Sequence, residues 1–205
     1  MSEYEYEPIR GLPGNLPAGE HILWQGSPDA WTFARSALGT RWIAAYFAAL
    51  VVWAMVRGTL MGVVMTAGLG AVAVALALIF AVLVARTTVY TITNRRVVLR
   101  IGVALSKCIN LPLGQLASAD LRERGQGFGD ISLGLAARSN LGYLMLWPHA
   151  RPLRFSSPQP MLRALPAAAE VAGVLARATA AVQPVQQRMT KPEAQPALGS
   201  REAVA

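Results

Sequence analysis

Apolar positions dominate one long stretch of the chain, Trp42 to Ala85, and fall into short period-two runs on its C-terminal side. The stretch is an apolar run of 15 residues, Trp42–Val56, then Arg57-Gly58-Thr59, then an apolar run of 26, Leu60–Ala85. A hydrocarbon core of about 30 Å takes about 20 helical residues. The second run therefore spans with length to spare. The first spans only if it lengthens back through Leu38 with Arg41 snorkelling to the surface. A soluble core helix seldom stays apolar on every face for so long. The run starts too late and is too long for a secretory leader. The pattern predicts a two-helix transmembrane hairpin over 39–86, its spans antiparallel because the connection can only turn. Gly62, Gly68, Gly70 and Ala71 supply small positions for close helix packing.

Beyond Arg86 the period changes. The runs 87–93, 96–101, 105–111, 116–122, 130–135, 143–147 and 152–155 read as seven short strands separated by Gly and Pro turns. Ser156-Ser157-Pro158 then signals a helix start. Met161, Leu162, Leu165, Ala169, Val171, Val174 and Leu175 form its apolar side to about Ala178, with Pro166 as a kink or restart. The expected fold is a membrane α-helical hairpin plus a β-rich barrel closed by a C-terminal helix, the order of a pleckstrin-homology (PH)-like domain over 87–182. Residues 183–205, rich in Pro, Gln and Ala, read as a disordered tail. Ahead of the hairpin, residues 1–38 form a cytoplasmic segment. Its turns are set by Gly11, Pro13, Gly14 and Pro17, His21 to Trp24 is a short strand or a turn of helix, and Asp29–Leu38 is an interfacial helix capped by Ser27 or Asp29. Trp24, Trp31 and Trp42 fit an aromatic belt at the membrane surface.

Charge placement orients this arrangement. Only Arg57 lies between the spans, whereas Arg35 and Arg41 precede the first, and Arg86, Arg95, Arg96 and Arg100 follow the second. The positive-inside rule puts both termini in the cytoplasm of a multi-pass protein. The net charge of +8 is directed at anionic lipid headgroups rather than nucleic acid, because its nearest members sit at the membrane.

The chemistry-bearing residues are sparse. No Asp, Glu, Lys or His interrupts the apolar runs, which argues against proton relay or transport. His21 and His149 have no companion at ligand spacing, so no metal is expected. Cys108 is the one cysteine, excludes an internal disulfide and reads as a buried structural thiol. Gly125-Gln126-Gly127-Phe128-Gly129 lacks the Lys-Ser or Lys-Thr of a phosphate loop. It reads as a mobile inter-strand loop, with Phe128 at its tip either a partner anchor or folded back onto the barrel. Arg95, Arg96 and Arg100 are the candidates for lipid or partner contact. No catalytic residue and no cofactor are expected.

Two motifs carry a resemblance. Tyr90-Thr91-Ile92-Thr93-Asn94-Arg95-Arg96-Val97-Val98, directly after a span, resembles the opening hairpin of the bacterial PH domains of small membrane proteins. Gly19-Glu20-His21-Ile22-Leu23-Trp24-Gln25-Gly26-Ser27-Pro28 resembles the segment ahead of their spans. With Glu7-Pro8-Ile9-Arg10-Gly11-Leu12-Pro13 and Leu16-Pro17-Ala18, the chain is similar to a narrower family, the PuhB-type photosynthetic complex assembly proteins of purple bacteria. That resemblance implies a non-enzymatic assembly factor for the reaction centre and core light-harvesting complex, in the inner or intracytoplasmic photosynthetic membrane. The implied partners are reaction-centre subunits, the H subunit among them, and core antenna components. A homo-oligomer is left open. The alternative from the residues themselves is an anionic-lipid-binding tether or sensor.

Overall fold

The computed structural model describes residues 10–136 and 142–190, with side chains to 182. The start of the narrower motif, Glu7-Pro8-Ile9, and the tail from 191 onward lie outside the described residues. The element order is β1 (Ile22–Gly26), α1 (Ala30–Ser36), α2 (Thr40–Val56), α3 (Leu60–Thr87), β2 (Val89–Thr93), β3 (Arg96–Ile101), β4 (Lys107–Pro112), β5 (Leu116–Gly125), β6 (Phe128–Leu135), α4 (Tyr143–Leu146), β7 (Met161–Leu165) and α5 (Ala168–Thr190).

The seven strands form two antiparallel sheets, β1-β2-β3-β4 and β5-β6-β7, and neither closes. This overturns the expected barrel. The ladder breaks after β4, where Pro112 has no N–H to donate and a 3-10 turn at Leu113–Gln115 redirects the chain. The strand membership also differs from the expectation. Residues 143–146 form the helical turn α4, and 152–155 form no strand. The missing two strands come from either end of the domain: β1 from ahead of the helices, and β7 from what reads as helix in the sequence. The latter is Met161–Leu165, bracketed by Pro160 and Pro166, and all five residues are buried. Pro166 is therefore the punctuation between β7 and α5 rather than a kink. α5 runs on to Thr190, past the expected boundary at 182.

Between the sheets lies one core built from Tyr90, Ile92, Leu99, Leu111, Leu113, Ile131, Leu133, Leu162 and Leu165, onto which α5 presses Val171, Leu175 and Ala178. Residues 10–20 fold back on the four-stranded sheet, so Leu12 is buried. A Cβ at Gly11, which has φ +84°, would lie 2.6 Å from Val89. The segment is part of the domain, not a tail in front of it.

The helices enter and leave through adjacent strands. β1 pairs antiparallel with β2, Trp24 opposite Ile92 and Gly26 opposite Tyr90, and α1 to α3 are the connection between these two strands. α3, of 28 residues, is long and apolar enough to cross a membrane. α2, of 17 residues, reaches about 25 Å at 1.5 Å per residue, short of a hydrocarbon core. It meets the criterion only together with α1, from which it is bent by 59°. The expectation of two spans is thus reduced to one helix of membrane length packed against a shorter companion.

Candidate functional site at the base of the hairpin

α3 passes into β2 with only Thr88 between them, so the helices are joined to the sheet without a linker. Asp29 caps α1 by accepting from the Thr32 N–H at 2.8 Å, the local reason the helix starts where it does. α1 then buries Phe33 and Ala34 against Ala81 and Val84 of α3 and Ala164 of β7. The Asp29 N–H donates to the Ala164 carbonyl at 2.9 Å. From the other side, the Ala164 N–H donates to the Asp130 carboxylate at 2.8 Å, which also pairs with Arg124. These bonds hold Ala164 in a left-handed conformation, φ +51°, that an L-residue otherwise resists. Hairpin base and domain share one small core.

Directly behind it lies a buried polar cluster. His149 Nδ1 is 2.7 Å from the Tyr90 hydroxyl and its Nε2 is 3.3 Å from the Thr88 hydroxyl. The Tyr90 oxygen accepts from the Arg163 N–H at 3.3 Å. A neutral imidazole satisfies all three if Tyr90 donates to Nδ1 and Nε2–H donates to Thr88. The His149 ring also packs on Phe33, 5.6 Å between centroids. Burial first, and then the Arg163 charge, push the imidazole down to about 3. Burial raises the Tyr90 phenol, and burial lowers the Arg163 guanidinium, which donates to the Ala150 carbonyl at 2.8 Å. His149 is therefore held neutral. It joins α1, α3, β2 and β7, and the hydrogen bonds to both of its ring nitrogens help to fix their mutual arrangement.

The two motifs behind the sequence resemblance meet in space. Asn94 accepts from the His21 N–H at 3.1 Å and donates to the Gly19 carbonyl at 2.9 Å. Arg96 grips Glu20 with both Nε and a terminal nitrogen, at 2.8 and 3.1 Å. Thr93 donates to the same carboxylate at 2.9 Å. Burial works to raise the Glu20 carboxyl, but the hydrogen bonds of Arg96 and Thr93 and the charges of Arg96 and Arg95 together hold it below its ordinary range. The motif is a latch that closes β1 onto β2.

Arg96 is thus engaged within the protein, and Arg100 is 3% exposed, whereas Arg95 lies at the turn beside Gly19. The structure does not gather these three into one basic surface. Phe128 is half-buried at the start of β6. The glycine-rich segment is a two-residue turn, with φ +54° at Gln126 and +77° at Gly127, the primed-turn geometry of a tight hairpin rather than a mobile loop. Trp24 is partly buried and packs against the core. Trp31 and Trp42 are 60% and 82% exposed at the hairpin base. Trp147, which the sequence reading placed in a strand, stacks on Phe80 of α3 at 5.6 Å. Gly62 and Gly70 are consumed within the helix pair: a Cβ at Gly70 would lie 2.7 Å from Phe47 Cβ, and one at Gly62 2.6 Å from Thr59 Oγ1. Gly68 faces open space, and Ala71 lines an apolar groove between α2 and α3. Cys108 is exposed, contrary to the expected buried thiol, because β4 turns Ile109 and Leu111 inward and Cys108 out.

Among the described residues no group of three or more His, Cys, Asp or Glu could hold a metal. No solved structure matches the chain. An uncharacterized 23.7 kDa protein in the puhA 5′ region of Rhodobacter capsulatus is 38% identical over 210 residues, covering 98% of both chains. The model of the bacterial PH domain matches residues 38–179, a range that takes in α2 and α3 as well as the sheets, and the chain belongs to that family.

Proposed function

We propose that this protein is a non-enzymatic, membrane-anchored assembly factor for the photosynthetic reaction centre and core light-harvesting complex. It would hold incomplete complexes through the outer face of α2 and α3 and through the PH domain. The observation that carries this reading is the way an outward-facing apolar helix pair is fixed into the sheet of the domain. Leu69, Val72, Leu76 and Ile79 of α3 are each more than half exposed, a surface fit for lipid or for other membrane helices. Because β1 and β2 are hydrogen-bonded neighbours, the two ends of the helical insertion lie on one side of any membrane it crosses. That supports two crossings with both flanks cytoplasmic, and charge placement agrees. The relative encoded in the puhA region supports a photosynthetic role, with reaction-centre subunits, the H subunit among them, and core antenna components as partners. Binding to an intermediate shifts assembly only through preference for that intermediate over the finished complex.

The test is affinity isolation of the full chain in gentle detergent from membranes building photosynthetic complexes, read by mass spectrometry and pigment absorption. Enrichment of partial complexes over mature ones is expected. Recovery of the folded protein without such subunits would refute the reading.

A second reading, a lipid-binding tether, is favoured by one observation. Leu144, Leu153 and Phe155 are 89%, 86% and 66% exposed on the segment that carries Trp147 against α3. The domain thus presents apolar side chains beside the helix that would enter the bilayer.

A further inference from the structure

At the elbow between α1 and α2 the chain forms a cleft of about 340 Å³ closed on its far side by the β5–β6 turn. Arg35, Arg41 and Arg124 line it with Thr32, Ser36 and Gln126. Arg124 is paired with Asp130, at 2.6 Å. Among the described residues no carboxylate pairs with Arg35 or Arg41. Three guanidinium groups therefore face a cleft that is balanced by one carboxylate lying behind it. The Ser36 hydroxyl is buried at the cleft without a hydrogen-bond partner among the described residues. Such an orphan is costly unless a ligand or water satisfies it.

The position identifies the ligand's source. Arg41 lies in the first turn of α2, next to Trp42, which is 82% exposed, and Arg35 lies on α1 with Trp31, which is 60% exposed. Exposed tryptophans and arginines at a helix entry are the side chains of the membrane–water boundary. An oxyanion held by the forked donors of two arginines is, at that depth, a headgroup phosphate. No one of these residues marks the site in the sequence, because the elbow and the turn are some 85 positions apart and meet only in the fold.

We infer that this cleft binds the phosphate of one anionic phospholipid, with Arg35 and Arg41 as its charged ligands and the Ser36 hydroxyl as a third contact. The inference rests on the membrane-inserted reading of α2 and α3. It does not rest on the assembly role. The site is separate from Arg95, Arg96 and Arg100, and it needs neither the Glu20 latch nor the His149 cluster.

The experiment uses the full chain reconstituted in phosphatidylcholine nanodiscs, after resistance to alkaline extraction has shown insertion. Failure at that first step would overturn the inference together with the membrane reading, and failure only afterwards would overturn the inference alone. Binding of short-chain phosphatidylglycerol is read by the fluorescence of the tryptophans, against short-chain phosphatidylcholine and inorganic phosphate. Saturable binding of phosphatidylglycerol alone is expected. R35Q/R41Q should weaken it about thirty-fold, or about 2 kcal/mol at 1.4 kcal/mol per decade, from about 1 kcal/mol per basic group near anionic lipid. Arg95→Gln should leave it unchanged. Arg124 is left intact because its loss would free Asp130. An unchanged melting temperature shows the double variant folded, and Arg35→Gln alone, expected to weaken binding about five-fold, replaces it otherwise. Equal binding by wild type and variant, equal loss on Arg95→Gln, or no binding by inserted wild type overturns the site. Inorganic phosphate binding as tightly as the lipid would overturn the lipid assignment.

Discussion

Acid should weaken this fold through His149 well before its carboxylates are protonated. The imidazole is buried, accepts from Tyr90 and has its ordinary value of 6.5 lowered to about 3 in the folded chain. A group depressed on folding contributes stability that is fully present above its unfolded value and is lost as pH falls from there toward the folded value. The window is therefore about pH 6.5 down to about 3. Within it the unfolded chain holds one more proton than the folded chain, and stability falls by about 1.4 kcal/mol per pH unit. Between pH 7.5 and pH 5.0 the loss from His149 amounts to about 2 kcal/mol, and the Glu20 carboxyl, whose ordinary value of 4.5 lies below this range, adds little. The assay is chemical unfolding of the full chain in a neutral detergent at a series of pH values, followed by tryptophan fluorescence. His149→Gln keeps a polar side chain that cannot take up the proton. It should start less stable by about 1–3 kcal/mol, from broken hydrogen bonds, and show a nearly flat profile over the same range. A flat profile in the wild type, or the same slope in His149→Gln, would refute the assignment of His149 as the buried neutral keystone between α1, α3, β2 and β7.

Three further outcomes follow from the packing. Gly70→Leu should destabilise the helix pair by about 1–3 kcal/mol, since its side chain must displace Phe47. Gly68→Leu should leave detergent stability intact and, if the outward face of α3 binds partner helices, reduce co-isolation of complex subunits. Glu20→Gln and Arg96→Gln should each cost about 1.5–3 kcal/mol through the charged hydrogen bonds they share, with the double variant far less than additive. Arg95→Gln, tested in parallel, should be nearly silent in the same unfolding assay. Asp130→Asn should destabilise by more than Asp120→Asn, because Asp130 is 1% exposed and serves both Arg124 and the Ala164 N–H, whereas the Asp120–Arg151 pair is exposed.

What the sequence made legible was local. The apolar length of Leu60–Ala85, the Asp29 cap, and the strands opened by Thr93-Asn94-Arg95-Arg96 all follow from period, composition and turn chemistry that act over a few residues. The errors arose where distant segments decide the outcome. Met161–Leu165 has residues suited to one helix face, yet Pro160 and Pro166 confine it and β6 offers it a ladder, so it becomes a strand. Tyr143–Leu146 has the β-rich look of a strand but finds no neighbour and turns as a helix. β1 reads as an isolated scrap until its partner, about 65 residues later across the whole helical insertion, is known. The arginines show the same limit. Their closeness to the membrane in sequence singled out Arg95, Arg96 and Arg100, but the fold gives Arg96 to Glu20 and buries Arg100. Arg35, Arg41 and Arg124 are the three that share a cleft. His149 carried no sequence signal at all, since its hydrogen-bond partners Thr88 and Tyr90 lie about 60 positions earlier in the chain.

The central claim is that α2 and α3 form an inserted pair whose two ends return to a single sheet on one side of the membrane. Site-directed thiol labelling tests it most directly. Cys108, the chain's one cysteine, is exposed on β4 and reports the side of the domain. Thr59→Cys in a Cys108→Ser background reports the turn between α2 and α3. In sealed right-side-out and inverted vesicles, an impermeant maleimide should reach Cys108 only from the cytoplasmic face and the cysteine at position 59 only from the opposite face. Labelling of both from the cytoplasmic face would contradict the account and make the helix pair a surface-bound or re-entrant element.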